Sequence, residues 1–510
     1  MQRSHGTSKR QELLPSILYR KRDGSDVVGL EAKDLKEHDI NDANEKVRYL
    51  ENTKRYIGTK ETFTIDDQTY SPIDVATKIL SHVKRFSEIN SIKGEYNTII
   101  TVPANFLNDQ RNDTLEAARR AGFSNVELYD EPKAAIISFL HEESEKINDK
   151  QLDLSSSKRI LVIDIGGGTC DICVDDVVLD EDKYKFTHLA VGRENVGGVD
   201  FDKYVGDAIA KKYLKNIELS QKDIANLRDR GQKIKETISD DISYKIYEEY
   251  DGDDSKLYSN PEWMDILENY EIEGKNSITI NDETINISLT VREFINSITP
   301  LVYCTNDEAA SNKDERERFK NMESLINNTL KDNDIDIETI DLIFLTGGMA
   351  KCFPLKAALY EVFQKKIISP SDPLLAVSKG AALVSKYKSV DVESLDIMPS
   401  AIMMEMDDGR LETLVSMGEK VPVKKIVDKT FTTTSRTGVT IKLFEGKNQF
   451  DSQLRKINNR YVIDFDEPKK IGREFIIEYS VDRTKRIKFI ITFLDSNEKY
   501  EISGQIREGK

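Results

Sequence analysis

Apolar residues between 74 and 91 recur at helical spacing. Val75, Ile79, Leu80, Val83 and Phe86 fall along one face, which predicts an amphipathic helix. Tyr96 to Val102 then reads as a buried strand that stops at Pro103. Asp109 to Ala121 predicts a second amphipathic helix, and Gly122 stands where a helix commonly ends in a left-handed residue. Val126 to Tyr129 predicts a short strand. Glu131-Pro132 opens a further helix, since proline in the first turn gives up an N–H that has no partner there. Strands alternating with helices indicate a layered α/β domain. A polar connector, 144–158, precedes an apolar run that enters a glycine loop. A second strand-to-glycine junction, Leu342 to Gly348, is followed by a helix from Pro354 through Phe363. The acidic stretch 240–290, which carries the single Trp263, reads as an insertion on a peripheral lobe without assignable chemistry.

The pattern changes after about residue 386. Lys386 to Ile397 is polar and reads as a linker. Beyond it come short β-rich runs: Ser400–Met406, Leu411–Met417, Lys429–Thr434, Val439–Phe444, Arg460–Phe465, Glu474–Val481 and Lys488–Phe493. Turn residues such as Asp407-Asp408-Gly409 and Asp495-Ser496-Asn497 separate several of them, the signature of an antiparallel β-sandwich.

At 510 residues the chain is too long for one core. Its net charge of −17 is spread along the sequence, which argues against binding nucleic acid or an anionic membrane. The cysteines, Cys170, Cys173, Cys304 and Cys352, form no disulfide framework. Cys170 and Cys173 are three apart in a loop and strand and so face opposite sides, which argues against a redox or zinc pair. No run approaches the ~18 apolar residues of a membrane span, and no signal core opens the chain. A cytoplasmic location is expected.

The chemistry concentrates at 161–171, Leu-Val-Ile-Asp-Ile-Gly-Gly-Gly-Thr-Cys-Asp. An apolar run delivers Asp164 into Gly166, Gly167 and Gly168, with Thr169 and Asp171 next. Glycines let backbone N–H groups approach and surround one anion. A lone carboxylate beside them suits a hydrated Mg²⁺, since it would repel a phosphate directly. Alternation after the loop (Ile172 and Val174 against Cys173 and Asp175) predicts strand–loop–strand, which excludes a Walker loop. A tight glycine hairpin without ligand is the bland alternative.

Together these pieces resemble the 70-kDa heat-shock (DnaK-type) chaperones. Five further stretches in the family's order join the glycine loop: Ile100 to Phe106 with Asp109-Gln110-Arg111; Asp130 to Ala135; Gly197-Gly198-Val199-Asp200-Phe201-Asp202; the junction 345–354; and Asp372 with Gly380-Ala381-Ala382. The resemblance implies an α/β, actin-like and sugar-kinase-like two-lobed ATPase domain over 1–385. A linker would come next at 386–398, then an antiparallel β-sandwich for peptide binding at 399–510. It implies ATP and Mg²⁺ as cofactors. Asp164 would hold the metal through water, Gly166 to Gly168 with Thr169 would bind the β- and γ-phosphates, and Gly197 and Gly198 would be further nucleotide-binding residues. Lys54 would orient the attacking water, and Glu131 would stand near the metal. Lys235 and Ser239, four apart on one helical face, would touch ribose and base opposite Gly347 and Gly348, with Lys351 and Asp372 completing the nucleoside side. Pro103 and Arg111 match the family's proline switch and its arginine relay. Leu411, Phe431 and Val439 fall near the client pocket, or equally in plain sandwich core. Extended client peptides, J-domain proteins and nucleotide-exchange factors are the implied partners.

The departures carry weight as well. No Asp-x-Gly-Thr-Thr first phosphate loop is present; Leu14 to Tyr19 already resembles the family's segment just after that loop. A unit on the order of 20 residues is therefore missing from the pattern. Either the true start lies upstream, which is the expectation, or the chain is a lesion-bearing paralogue. Lys351 replaces a base-stacking arginine, Glu236 a second arginine and Val199 a glutamate, so altered nucleotide affinity is expected. By the resemblance, a chaperone without the family's helical lid is expected, and the linker lacks a continuous leucine run. Two readings of function result: an ATP-dependent chaperone, or a chaperone-like scaffold without ATPase activity. A sugar kinase would need a substrate pocket with a general base, and none is evident.

Overall fold

The computed structural model describes residues 13–41, 47–89, 97–144, 152–180, 183–215, 217–250, 276–280, 283–303, 321–386, 393–452, 454–457 and 461–503. Trp263, Cys304 and linker residues 387–392 lie outside them. The chain forms two compact units. One comprises Thr101–Asn105 and Tyr129–Pro399; the other comprises Met1–Ile100, Phe106–Leu128 and Ser400–Lys510.

The first of these is built on a mixed sheet. Its strands run in the order Lys366–Ile368, Leu342–Thr346, Lys158–Ile165, Cys170–Asp180, Lys183–Glu194 and Glu393–Ile397. The strand Lys158–Ile165 is buried from Ile160 onward, as expected of a strand covered on both faces. Its side chains alternate between two cores. Leu161, Ile163 and Ile165 pack with Phe201, Ile234, Phe294 and Leu359. Ile160 and Val162 pack on the other face with Ile136, Phe139 and Phe344. Cys170 joins the first core and Cys173 the second, so the two thiols do face opposite ways. The predicted helix at Glu131 runs Glu131–Ser144, and Pro132 to Leu140 are all buried, Lys133 among them.

The polar segment read as linker contains a strand. Glu393–Ile397 pairs in parallel with Lys183–Glu194, in the register Lys185 to Glu393 and Thr187 to Leu395. Asp396 is buried there against Lys133, and the two form an ion pair. Desolvation alone would lower the Lys133 ammonium's pKa, but Asp396, Asp130 and Asp175 raise it well above the usual range.

The second unit combines a small antiparallel sheet, ordered Asp26–Val28, Ile17–Arg20 and Tyr49–Glu51, with the helices Leu30–Asn41, Pro72–Ile89 and Asn108–Arg120. Its β-rich part has the sandwich pattern. One sheet is ordered Leu411–Val415, Ala401–Glu405, Leu443–Gly446, Arg455–Lys456, and another Val423–Ile426, Glu474–Val481, Ile487–Phe493, Lys499–Ser503. In Glu474–Val481 and Ile487–Phe493 every second residue is buried, so one face turns inward. The expected strand Val439–Phe444 is two strands, Gly438–Ile441 and Leu443–Gly446, which pair with different partners.

Within this unit the helix Asn108–Arg120 buries an unusual set of polar groups: Asn108, Asp109, Arg111 and Asp113. Asn108 donates through Nδ2 to the Tyr461 hydroxyl (2.9 Å). Its backbone N–H faces Glu445 (3.4 Å), which also accepts from Ser400. Asp113 accepts the Gly58 N–H at 3.0 Å. Burial, and then Asp109 one turn earlier, push the Asp113 carboxyl up to about 7. An unfolded aspartate titrates near 3.8. Between those values the folded form holds a proton that the unfolded form has released, so stability falls as pH rises, and above about 7 the loss is complete. Asp113→Asn keeps the acceptor without the charge. It is expected to stabilise this unit at pH 8 by on the order of 2–4 kcal/mol, with the gain shrinking toward pH 5. Denaturant midpoints of variant and parent at both pH values check this; a gain independent of pH would count against it.

Candidate functional site

The sheet brings three strand ends together. Asp164 is paired with Thr346 on one side and with Asp171 on the other. The intervening tip, Gly166 to Thr169, closes with the Gly166 N–H donating to the Thr169 carbonyl (3.0 Å). Thr169 donates through Oγ1 to Asp171 at 3.0 Å, and Arg193 lies 3.7 Å from the same carboxylate.

A second glycine pair seals the far side of this tip. Gly197 caps the helix Gly198–Tyr213, and its N–H donates to Asp200 (2.8 Å). The N–H groups of Gly198 and Val199 donate to the carbonyls of Gly166 (2.9 Å) and Gly167 (2.8 Å). Those two amides are thereby used within the protein. A Cβ on Gly197 would lie 2.5 Å from the Gly168 nitrogen, so only glycine permits the approach. Gly347 closes the other side at φ +81°, where a Cβ would meet the Ile165 carbonyl at 2.4 Å and Asp164 Oδ1 at 2.5 Å.

The helix Gln221–Tyr250 contributes a cation, Lys235. Lys235 lies 2.6 Å from Asp202 and 3.3 Å from the Gly198 carbonyl. Burial raises the Asp202 carboxyl, and Lys235 offsets only part of that. Ser239 donates to the carbonyl of Lys235 (2.8 Å), which leaves its oxygen to accept. Lys351 lies 3.9 Å from Asp372, and a Cβ on Gly348 would stand 3.4 Å from Leu374.

Asp164, Gly166, Gly167, Gly168, Thr169, Gly197, Gly198, Lys235 and Gly347 are thus joined by direct pairings and close approaches within one unit. Ser239 belongs through its bond to Lys235. Lys351 and Asp372 pair with each other in the same unit. Glu131, at its helix start, and Pro103, which is buried, belong to this unit too. Lys54 and Arg111 belong to the other. There Lys54 stands 5.9 Å over the Phe106 ring, and Arg111 donates from Nε to the Phe106 carbonyl (2.8 Å).

Whether a magnesium-bound polyphosphate suits this arrangement rests on space and donors. A Cβ added to Gly167 would meet nothing within 4 Å, so the tip faces open space. The Thr346 hydroxyl, opposite Asp164, is buried without a hydrogen-bond partner. An oxygen donor set with one carboxylate suits Mg²⁺ held through water. The residues fit such a group.

Three groups that sequence reading passed over also sit in this unit: the Lys133–Asp396 pair, the Asp202 partner of Lys235, and the buried trio Cys173, Asp175 and His188. A lysine inside an otherwise buried helical stretch was the one local signal for the first of these.

Among known proteins, a family model described as Hsp70 protein matches residues 23–257 and 307–482. The chain belongs to the Hsp70 family. It is 26% identical to the chaperone protein DnaK of Thermosipho melanesiensis over 85% of this chain and 64% of that one. It is 28% identical to the mitochondrial iron-sulfur cluster biogenesis chaperone of Saccharomyces cerevisiae over 74% of this chain and 50% of the relative. The DnaK of Thermosipho africanus is 25% identical over 85% and 64%. The chain therefore spans about half to two thirds of the length of these curated relatives. Among the described residues, no helix is long and apolar enough to cross a membrane.

The geometry predicts two outcomes. Gly347→Ala combines an unfavourable φ with contact at backbone atoms and should destabilise this unit by about 1–3 kcal/mol, read as a lower thermal midpoint. Lys133→Ala leaves a buried carboxylate unpaired and should cost about 3–5 kcal/mol, whereas Lys133→Met with Asp396→Leu should recover most of it. Urea unfolding of the single and double variants is the check.

Proposed function

We propose that this chain is an ATP-dependent chaperone of the 70-kDa heat-shock type, binding extended client segments under nucleotide control in a reducing, cytoplasmic setting. The observation that carries the reading is the seating of Asp164 against Gly347, beside an open glycine tip backed by Gly197 and Gly198. Membership of the family supports ATP with Mg²⁺ as the ligand.

In this reading the domain boundaries are 1–385, 386–398 and 399–510, with an actin-like two-lobed ATPase first. Magnesium, when bound, would neutralise charge building up on the phosphates. Asp164 would fix the metal through water. With the Gly166 N–H engaged by the Thr169 carbonyl, the backbone from Gly167 to Thr169 would hold the phosphate oxygens, and Lys235, steadied by Asp202, would reach the ribose. Lys54 would place the attacking water and counter transition-state charge, and Glu131 would orient metal-bound water. Arg111, anchored on the Phe106 carbonyl, and Pro103 would relay nucleotide state.

For clients, Leu411, Phe431 and Val439 are all half-buried, unlike the sealed core residues Ile477, Phe489 and Ile491. They lie on strands in different sheets, and Phe431 stacks on Phe475 at 5.8 Å. Partial exposure supports a binding edge over plain core. Extended-chain pairing would supply affinity there. J-domain and nucleotide-exchange partners belong to the same proposal.

Titration calorimetry with Mg-ATP on the full chain is the primary test. Saturable binding that weakens at least tenfold in Asp164→Asn is expected. Lys54→Ala should retain binding while turnover drops at least a hundredfold, and an extended apolar peptide should raise turnover in the parent. Absent binding would instead support a scaffold without ATPase activity.

A further inference from the structure

Away from the glycine loops, the sheet encloses a chemically distinct cluster. Cys173 and Asp175 are two apart on one strand and so project from the same face. His188, on the neighbouring strand, stands directly opposite Asp175, and the register breaks between His188 and Ala190. Bulges of that kind re-aim side chains. All three residues are almost wholly buried.

His188 Nδ1 lies 2.6 Å from Asp175 Oδ1, and the Cys173 thiol donates to Asp175 Oδ2 at 3.1 Å. One ligand atom from each falls within 4.8 Å of the others. The second imidazole nitrogen, Nε2, on the ring edge away from Asp175, is buried without a hydrogen-bond partner.

Burial would raise the Asp175 carboxyl, but His188 and Lys133 hold it below the usual carboxylate range, so an ionised oxygen ligand is already in place. A thiol coordinated beside it gives up its proton. Burial, with Asp175 adding to it, keeps the unliganded Cys173 thiol protonated.

We propose that Cys173, Asp175 and His188 form a binding site for a zinc-class divalent cation. Sulfur, imidazole nitrogen and one carboxylate match Zn²⁺ and disfavour Mg²⁺ or Ca²⁺, which take oxygen ligands. Tetrahedral bonds of about 2.0–2.3 Å set ligand atoms roughly 3.3–3.8 Å apart, which is within reach of modest side-chain rotation. None of the three ligands is among the nucleotide residues named above, although Cys173 shares its strand with Asp171.

The test uses the full chain stripped with chelator and then dialysed against Zn²⁺ or Co²⁺. One zinc per chain is expected, with a thiolate-to-cobalt absorption band in the near ultraviolet. Cys173→Ser should abolish that band, and His188→Gln should weaken zinc binding at least tenfold. Cys170→Ser and Cys352→Ser should keep both signals. Circular dichroism identifies any variant that fails to fold, and the parent and the Cys170→Ser control still decide the matter. A parent chain that retains no stoichiometric zinc, or a band that survives Cys173→Ser, would overturn the assignment.

Discussion

The packing of one strand governs the unit that carries the glycine loops. Lys158–Ile165 is covered on both faces, and its C-terminal end must place a carboxylate, Asp164, at the edge of that dry interior. Two backbone features of the surroundings meet this demand. Gly347 leaves no room for a side chain on one side of the carboxylate, while the tip at Gly166 to Thr169 leaves open space at Gly167. The same tip is held by hydrogen bonds from Gly198 and Val199 to its carbonyls. Rigidity in the supports and openness at the tip are two results of the same glycine placement. Pre-formed geometry of this sort is what positioning chemistry requires.

What could be read from the chain in advance was local. The loop at 164–171 is a contiguous pattern, and its strand–loop–strand form appears in the structure with the expected opposite facing of Cys170 and Cys173. The helices at 74–91, 109–121 and after 131 appear within two residues of their expected starts, because caps and apolar spacing are encoded nearby. Strands with strict alternation, such as Glu474–Val481, were equally legible.

The failures share a cause. Val423–Ile426, Arg455–Lys456 and Lys499–Ser503 are edge or short strands whose polar residues hide any alternation. Val439–Phe444 looked continuous, but its residues divide between two partners. Lys133 and Asp396 are separated by 263 positions, so no window contains both. The trio Cys173, Asp175 and His188 needed the hairpin register to bring its histidine across. The assignments of Lys54 and Arg111 rest on matched motifs, since both belong to the second unit.

The strand Glu393–Ile397 has a consequence for solubility. A strand that leaves its sheet presents unpaired N–H and C=O groups to any other chain. Here that strand carries Asp396, whose carboxylate is acceptable in an interior only where Lys133 waits for it. Foreign sheet edges offer no such buried ammonium, so joining them would strand a bare charge in a dry seam. One residue therefore acts as a key for its own groove and as a gatekeeper against every other.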